Sequence, residues 1–213
     1  MFNNMPSLQE IAIMAVSFLI ALTVHEYAHA RSALAAGDET AKRAGRVSLN
    51  PLDHLDPVGT IMFVFTMLNG FGIAWGKPVP VDPYNFKSPR WDNLKVSIWG
   101  PVSNLITATV FGLIYRFVRF PLLEAGFGSY ASLLEMIVLF NLMLAFFNMI
   151  PVPPLDGSHV LSSLLPVHQA RKYDDLMGRY GLIILLGLLF TGVIEKLIGP
   201  PVFGLFTLIT GLR

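Results

Sequence analysis

The chain contains no cysteine and few charged residues, and both absences narrow its chemistry. Without cysteine, disulfides and thiolate metal sites are excluded, so any metal must be bound by His, Asp, Glu or Asn. Of the 213 residues only 14% are charged and 54% are hydrophobic, whereas soluble domains are about 25% charged. The formal net charge of +1 gives no reason to expect a nucleic-acid partner. The composition therefore indicates a protein that lies in the lipid bilayer.

The first residues also lack the basic stretch of a cleavable signal peptide. Met1–Gln9 carry no Lys or Arg, and the apolar run that follows, Leu8–Ala36, is longer than the hydrophobic region of a signal peptide. We interpret this run as the first membrane helix. Because no repeat or change in composition marks a second domain, residues 1–213 are expected to form a single integral-membrane domain.

Long apolar runs predict the membrane segments. Runs of about 20 residues can cross a hydrocarbon core of about 30 Å, and four are convincing: Leu8–Ala36, Val96–Phe120, Ala131–Ile150 and Leu182–Ile198. Two more are ambiguous. Val58–Trp75 is barely long enough and is interrupted by Gly59, Gly70 and Gly72, and Val202–Leu212 is too short to cross. The sequence thus predicts an all-α polytopic membrane protein with about five or six membrane segments.

The distribution of basic residues constrains the topology, because cytoplasmic loops are enriched in Lys and Arg. Two stretches are expected to be cytoplasmic because they carry Arg31, Lys42, Arg43, Arg46, Lys77, Lys87, Arg90 and Lys95. A single crossing by Val58–Trp75 would separate these two stretches, so this segment is expected to re-enter the membrane and return. Arg116 and Arg119 then fall outside, against the rule, whereas three others fall inside and agree with it: Arg171, Lys172 and Arg179.

Two stretches between the helices predict a small re-entrant β element. Gly45–Pro51 and Gly76–Pro83 alternate partly in hydrophobicity and end in turn-forming residues. Prolines remove hydrogen-bond donors, so the second stretch is expected at most as an edge strand. Such a backbone occurs at membrane depth only where it is buried in protein or lines a water-filled cavity.

The sequence His25-Glu26-Tyr27-Ala28-His29 lies inside the first apolar run. On a helix, H-E-x-x-H puts both imidazoles on one face, where they can bind one zinc ion, with the glutamate beside the metal as a general base. Three ionisable groups this close together in a membrane helix indicate a functional site rather than a polar cluster of the bundle interior.

A catalytic zinc site needs a third protein ligand, for which Asp156 is the candidate. It follows a hydrophobic helix and a run of prolines, in the segment Asn148–Gly157. The metal site is therefore expected at the interface between this segment and the first helix. The alternative is that Asp156 caps a helix beginning at Gly157.

These motifs resemble those of the site-2 proteases, zinc metalloproteases that cut peptide bonds within membranes, in their short microbial form without PDZ or CBS domains. The resemblance covers nearly the whole chain. It rests on His25-Glu26-Tyr27-Ala28-His29, on Gly100-Pro101-Val102-Ser103-Asn104 and on Asn148–Gly157.

The resemblance implies one zinc ion per chain, bound by His25, His29 and Asp156, with Glu26 as general base. It also implies that Asn148, and with it Asn104, lies close to the scissile bond, although Asn104 could instead join helices through its amide. The substrate is expected to be a transmembrane protein that pairs with the stretch around Gly76–Pro83. The expected location is the plasma membrane, with the active site nearer the cytoplasmic side. The oligomeric state is left open.

His54 is compatible with two interpretations. It is either a histidine of a surface loop or a gate that transiently occupies the open zinc position in the resting enzyme. A second histidine, His159, follows Asp156 by one turn and is a candidate for contact with the metal ligands.

Two other classes of protein share parts of this pattern. A non-catalytic membrane protein that binds or transports metal could use the same ligands, but it would not need Glu26. A CAAX-processing protease is disfavoured by the proline-rich context of Asp156.

Overall fold

The computed structural model describes residues 6–69, 72 and 74–212. Within these ranges the chain forms eight α-helices, which are α1 Leu8–Ala36, α2 Thr40–Arg43, α3 Pro57–Asn69, α4 Pro89–Glu124, α5 Gly128–Asn148, α6 Asp156–Leu164, α7 Val167–Phe190 and α8 Val193–Thr210. Two 3₁₀ turns, Pro51–His54 and Pro83–Asn85, lie in the connections.

Among the described residues, four helices are long and apolar enough to cross a membrane, namely α1, α4, α5 and α8. This finding supports a multi-pass membrane protein, although four such helices are fewer than the five or six segments predicted from the sequence. The predicted span Leu182–Ile198 is wrong, because α7 ends at Phe190 and Gly192, with φ of 69°, separates it from α8. Apolar residues lie on both sides of this break, Leu188 to Phe190 before it and Val193 and Ile194 after it, so the apolar run conceals it. The short run Val202–Leu212 is largely the end of α8.

Both ends of α1 are fixed by local sequence. At its start, Ser7 and Glu10 form a capping box in which each side chain accepts a hydrogen bond from the other residue's backbone N–H. At its end, Gly37 adopts a left-handed conformation with φ of 106°, which glycine tolerates best. The helix that carries the H-E-x-x-H motif is therefore defined at both ends.

Helix α4 runs antiparallel to α1. Near its start the carbonyl of Val96 contacts His29, and eight residues later Asn104 contacts Ala21, further back along α1. Helix α5 runs antiparallel to α4 in turn, because Asn104 pairs with Asn141 and the later Tyr115 of α4 pairs with the earlier Glu135 of α5. Since α5 therefore has the direction of α1, it returns the chain to the depth of His29 just before Asp156.

Helices α4, α5 and α8 share an apolar core. Its buried members are Ala108, Val138, Leu142, Val202 and Phe206. A separate cluster joins α1 to α3, where the rings of Phe18 and Phe63 stack with their centroids 4.3 Å apart.

The two predicted strands, one between α2 and α3 and the other between α3 and α4, do not form in the described part of the chain. In the part of the chain that the structure describes, pairing is limited to one isolated antiparallel bridge between Leu55 and Gly76. The prolines in the second stretch remove the donors that a longer ladder would need. The predicted β element is thus reduced to a single bridge. Gly70 and Gly72 were expected to interrupt the apolar run Val58–Trp75. Of these two, Gly70 lies outside the described residues.

Helix α3, with 13 residues, is also too short to cross a membrane. The chain after it returns to its start, because a side chain added at Gly59 would meet the carbonyl oxygen of Trp75 at 2.0 Å. The segment therefore begins and ends at the same level of the molecule.

Candidate metal centre

Three side chains from two helices converge on one point. His25 and His29 lie one turn apart on α1, and Asp156 is the first residue of α6. The two histidine Nε2 atoms are 3.0 Å apart. Oδ2 of Asp156 lies 3.1 Å from Nε2 of His25, and Oδ1 of Asp156 lies 3.3 Å from Nε2 of His29. Since Leu155 occupies the cap position of α6, the alternative that Asp156 caps this helix is wrong.

This arrangement fits a divalent metal ion. A tetrahedral ion with bonds of about 2.0–2.1 Å holds its ligand atoms about 3.3 Å apart, close to the separations found here. The Oδ2 atom of Asp156 is buried and accepts no hydrogen bond, and a buried polar atom without a partner is costly. Two imidazoles and a carboxylate are also a donor set that suits zinc. The three groups can therefore hold a metal ion.

The Nδ1 atoms of both histidines form hydrogen bonds with groups outside the three ligand candidates. Nδ1 of His29 donates to the carbonyl oxygen of Val96 at 2.8 Å, and Nδ1 of His25 donates to Oδ1 of Asn104 at 2.7 Å. A proton on Nδ1 leaves Nε2 with its lone pair free for a metal. The helix packing therefore selects the tautomer that a metal site requires.

The orientation of the Asn104 amide is itself fixed by two acceptors. Its Nδ2 donates to the carbonyl oxygen of Ala21 at 2.9 Å and to Oδ1 of Asn141 at 2.8 Å. Asn141 in turn donates to the carbonyl oxygen of Ile137 at 2.8 Å. Both asparagine side chains are fully buried. Asn104 thus joins α1, α4 and α5 and faces His25 rather than the cavity described below.

Glycines permit the close approach of the helices at this centre. A Cβ at Gly100 would lie 2.3 Å from Nε2 of His29 and 2.8 Å from the His25 ring. A Cβ at Gly157 would lie 2.3 Å from the carbonyl oxygen of Met149, where α6 packs against the end of α5. Any larger residue at either position would displace a helix that carries or supports a metal ligand.

The metal centre opens into a cavity of about 320 Å³. It is lined by His25, Glu26, His29, Pro78, Val79, Val81, Pro83, Asn93, Val96, Ser97, Asn148, Pro154, Asp156 and His159. The carboxylate of Glu26 accepts a hydrogen bond from the backbone N–H of Val79 at 3.1 Å. The Asn148 amide donates to the carbonyl oxygen of Leu144 at 3.0 Å. The structure therefore brings Glu26, Asn148 and His159 into the same cavity as the three ligand candidates.

His54 is not brought to this cavity. It is completely buried, which contradicts the surface-loop interpretation. Its Nε2 lies 2.8 Å from the carbonyl oxygen of Ser48, and its Nδ1 lies 3.4 Å from the guanidinium of Arg46. With both nitrogens turned to these partners, His54 does not occupy a metal position in this structure.

Two groups at the centre were not identified from the sequence. Asn141 could have been noticed, because it is a polar residue in an apolar run and precedes Asn148 by two helical turns, on the same helix face. The carbonyl of Val96 gives no comparable signal, since every residue has a carbonyl and only the packing of α4 on α1 selects this one.

Comparison with known proteins gives a consistent result. A model of peptidase family M50 matches residues 122–188. The chain is 37% identical over 193 residues to "Putative zinc metalloprotease YwhC" of Bacillus subtilis, covering 88% of this chain and 84% of that protein. It is 26% identical over 184 residues to "Putative zinc metalloprotease Rip2" of Mycolicibacterium smegmatis, covering 86% and 69%.

No solved structure matches the chain significantly. The identity to the Bacillus protein extends over most of both chains, and the three side chains that can hold a metal ion come from two of the motifs that carried the resemblance. The chain belongs to peptidase family M50, the site-2 protease family of zinc metalloproteases.

Proposed function

We propose that this protein is an intramembrane endopeptidase that hydrolyses peptide bonds within or near the transmembrane segments of other membrane proteins. His25, His29 and Asp156 bind one zinc ion, and Glu26 is the general base. The observation that carries the proposal is the convergence of two imidazoles and a carboxylate, with nitrogen–nitrogen and nitrogen–oxygen contacts of 3.0–3.3 Å, in a cavity that also contains Glu26. A zinc metallopeptidase of this family needs these four groups together.

The chemistry divides between the metal and the side chains. A zinc ion held by His25, His29 and Asp156 would polarise the scissile carbonyl and increase the acidity of a water molecule. Glu26 removes a proton from that water as its oxygen bonds to the carbonyl carbon, and returns the proton to the amide nitrogen when the C–N bond breaks. Water thus adds across the peptide bond and Glu26 is regenerated. Asn148, on the cavity wall, is suited to donate a hydrogen bond to the oxygen that becomes negative.

The stretch Gly76–Val81 is suited to receive the substrate as an extended chain. A transmembrane helix must unwind before it is cut, and its freed backbone groups then need partners. Val79 and Val81 line the cavity. Pro78 and Pro80 have no N–H, so within residues 78–81 only Val79 and Val81 have main-chain donors.

The active site lies nearer the cytoplasmic side of the plasma membrane in this proposal. His29 is close to the C-terminal end of α1, and the basic residues Lys42 and Arg43 follow that end directly. Basic residues next to a membrane helix favour the cytoplasm. Fusion of a reporter enzyme to the loop Gly37–Asn50 tests this orientation.

Cleavage of a panel of transmembrane peptides in detergent tests the function. We expect the wild type to cut at least one peptide and Glu26→Gln to retain zinc but lose cleavage, because the variant keeps the metal ligands and lacks the base. Glu39→Gln is the matched control, since Glu39 is exposed outside the cavity and pairs with Lys42 and Arg43.

The same experiment separates the protease from a metal-binding or transport protein. Zinc binding without cleavage of any peptide by the wild type would favour transport. Cleavage by Glu26→Gln at the wild-type rate would overturn the assignment of the base.

A further inference from the structure

Two buried charged side chains outside the metal centre contact the same short stretch of backbone. Arg46 is 4% exposed and Asp38 is not exposed at all. Among the described residues neither has an oppositely charged side chain within 4.0 Å. Burying an unpaired ion is costly unless its hydrogen bonds are satisfied. The partners of these two residues therefore indicate what their burial achieves.

Arg46 binds the start of the stretch that crosses the cavity. Its guanidinium donates to the carbonyl oxygen of Pro78 at 3.1 Å and to that of Lys77. It also lies 3.4 Å from Nδ1 of His54, whose own carbonyl oxygen accepts the N–H of Lys77 at 2.9 Å. Both sides of the Lys77 peptide are thus held by neighbouring residues.

Asp38 binds the end of the same stretch. Its carboxylate accepts the N–H of Asp82 at 2.8 Å and the side-chain amide of Asn85 at 2.9 Å. Its position is fixed in turn by hydrogen bonds from the N–H and hydroxyl of Thr40. The carboxylate therefore connects the loop after α1 to the end of the stretch.

Only three residues lie between the two anchors, Val79 to Val81. Val79 and Val81 line the cavity, and the N–H of Val79 contacts the carboxylate of Glu26. No ladder of strand hydrogen bonds supports them in the described part of the chain, where the isolated bridge of Leu55 and Gly76 is the only pairing. Their distance from Glu26 therefore depends on the two anchors.

We propose that Arg46 and Asp38 are positioning residues that hold Val79–Val81 at a fixed distance from Glu26, ready to pair with an unwound transmembrane substrate. This inference rests on the proposed function and adds the anchors of the substrate-receiving edge. The anchors replace the neighbouring strand that would otherwise fix such an edge. Their loss weakens substrate binding without disturbing the zinc ligands, which belong to other elements.

The test compares Arg46→Met with Arg43→Met in the full-length protein in detergent. Both remove a guanidinium from the segment between α1 and α3, but Arg43 is 80% exposed and, among the described residues, forms a salt bridge with Glu39 alone. The measurements are zinc content, KM and kcat for a transmembrane peptide, and amide hydrogen exchange at Lys77, Val79 and Val81.

We expect Arg46→Met to raise KM about tenfold or more, the equivalent of one charged hydrogen bond, and to speed exchange at Lys77 and Val79. Zinc content should stay at the wild-type level, and Arg43→Met should resemble the wild type throughout. Equal KM and equal exchange in the two variants would overturn the proposal.

Asp38→Asn provides an independent test if Arg46→Met does not fold. It keeps the side-chain size but loses the charge, and we expect faster exchange at Asp82 with zinc retained. Unchanged exchange at this amide would also overturn the proposal. Neither amide hydrogen exchange nor the binding of uncut peptide to the Glu26→Gln protein requires cleavage of the peptide. A failure of the anchors is therefore distinguishable from a failure of the proposed protease activity.

Discussion

Oδ1 of Asn104 accepts a hydrogen bond from Nδ1 of His25 at 2.7 Å, so an amide on α4 sets the tautomer of a metal-ligand candidate on α1. An amide can rotate and present its NH₂ group instead, which would repel the Nδ1 proton. Here that rotation is opposed by Ala21 and Asn141, which both accept from the Asn104 nitrogen. Three helices therefore cooperate to orient one imidazole.

Asn104→Ala is expected to lower the zinc affinity about 10- to 100-fold, the usual cost of losing a partner of a metal-binding histidine. The variant removes the acceptor for His25 and leaves the three ligand side chains in place. Competition with a fluorescent zinc chelator measures the affinity. Thr109→Ala on the exposed side of α4 is the control. An affinity equal to that of the control would show that the hydrogen bond does not matter for the metal.

Asn141 should affect the zinc affinity only through its hydrogen bond with Asn104. We expect Asn141→Ala to weaken zinc binding less than Asn104→Ala does, because the carbonyl of Ala21 still holds the Asn104 amide. In the double variant the loss should equal that of Asn104→Ala alone, since the intermediate link is already missing. Additive losses in this double-mutant cycle would contradict the connection.

Gly100→Ala is expected to abolish stoichiometric zinc binding and cleavage. The added methyl group would lie 2.3 Å from Nε2 of His29, so either the histidine pair or α4 must move. Gly187→Ala on α7 is the matched control, because nothing lies within 4 Å of its added Cβ. In the control, alanine should preserve or slightly raise stability, by about 0.5–1 kcal/mol, through its higher helix propensity. Metal analysis by mass spectrometry and thermal unfolding separate the two results.

Asp38 should make folding stability depend on acid pH. Burial alone would raise the pKa of its carboxyl, but hydrogen bonds from Thr40, from the Asp82 amide and from Asn85 outweigh burial and lower the pKa. A lowered pKa contributes stability above the unfolded value of 3.8, and that contribution is lost as the pH falls through the folded value.

Thermal unfolding of chelator-treated protein, wild type against Asp38→Asn, measures this contribution without interference from zinc. The wild type should have the higher Tm at pH 6, and the difference should shrink below a pH of about 3.8. A difference that stays constant down to pH 3 would mean that the carboxylate charge of Asp38 does not stabilise the fold.

The proposed chemistry could be predicted from the amino-acid sequence alone. The spacing of His25, Glu26 and His29 on one apolar helix, with Asp156 after a proline-rich break, defined a ligand set and a base, because helical periodicity alone puts the two imidazoles on one face. It also identified the apolar character of α1, α4 and α5, since composition and length decide whether a helix can span a bilayer.

The contacts of the supporting residues could be found only in the tertiary structure. Asn104 was expected either near the scissile bond or as a link between helices, and the structure shows its amide bonded to His25, Ala21 and Asn141. His54 was expected either in a surface loop or as a gate, and the structure shows it buried beside Arg46. The break between α7 and α8 is likewise absent from hydropathy. The physical reason is that hydrogen-bond partners across α1, α4 and α5 are separated by about 40 to 80 residues along the chain, and helix packing rather than local pattern selects them.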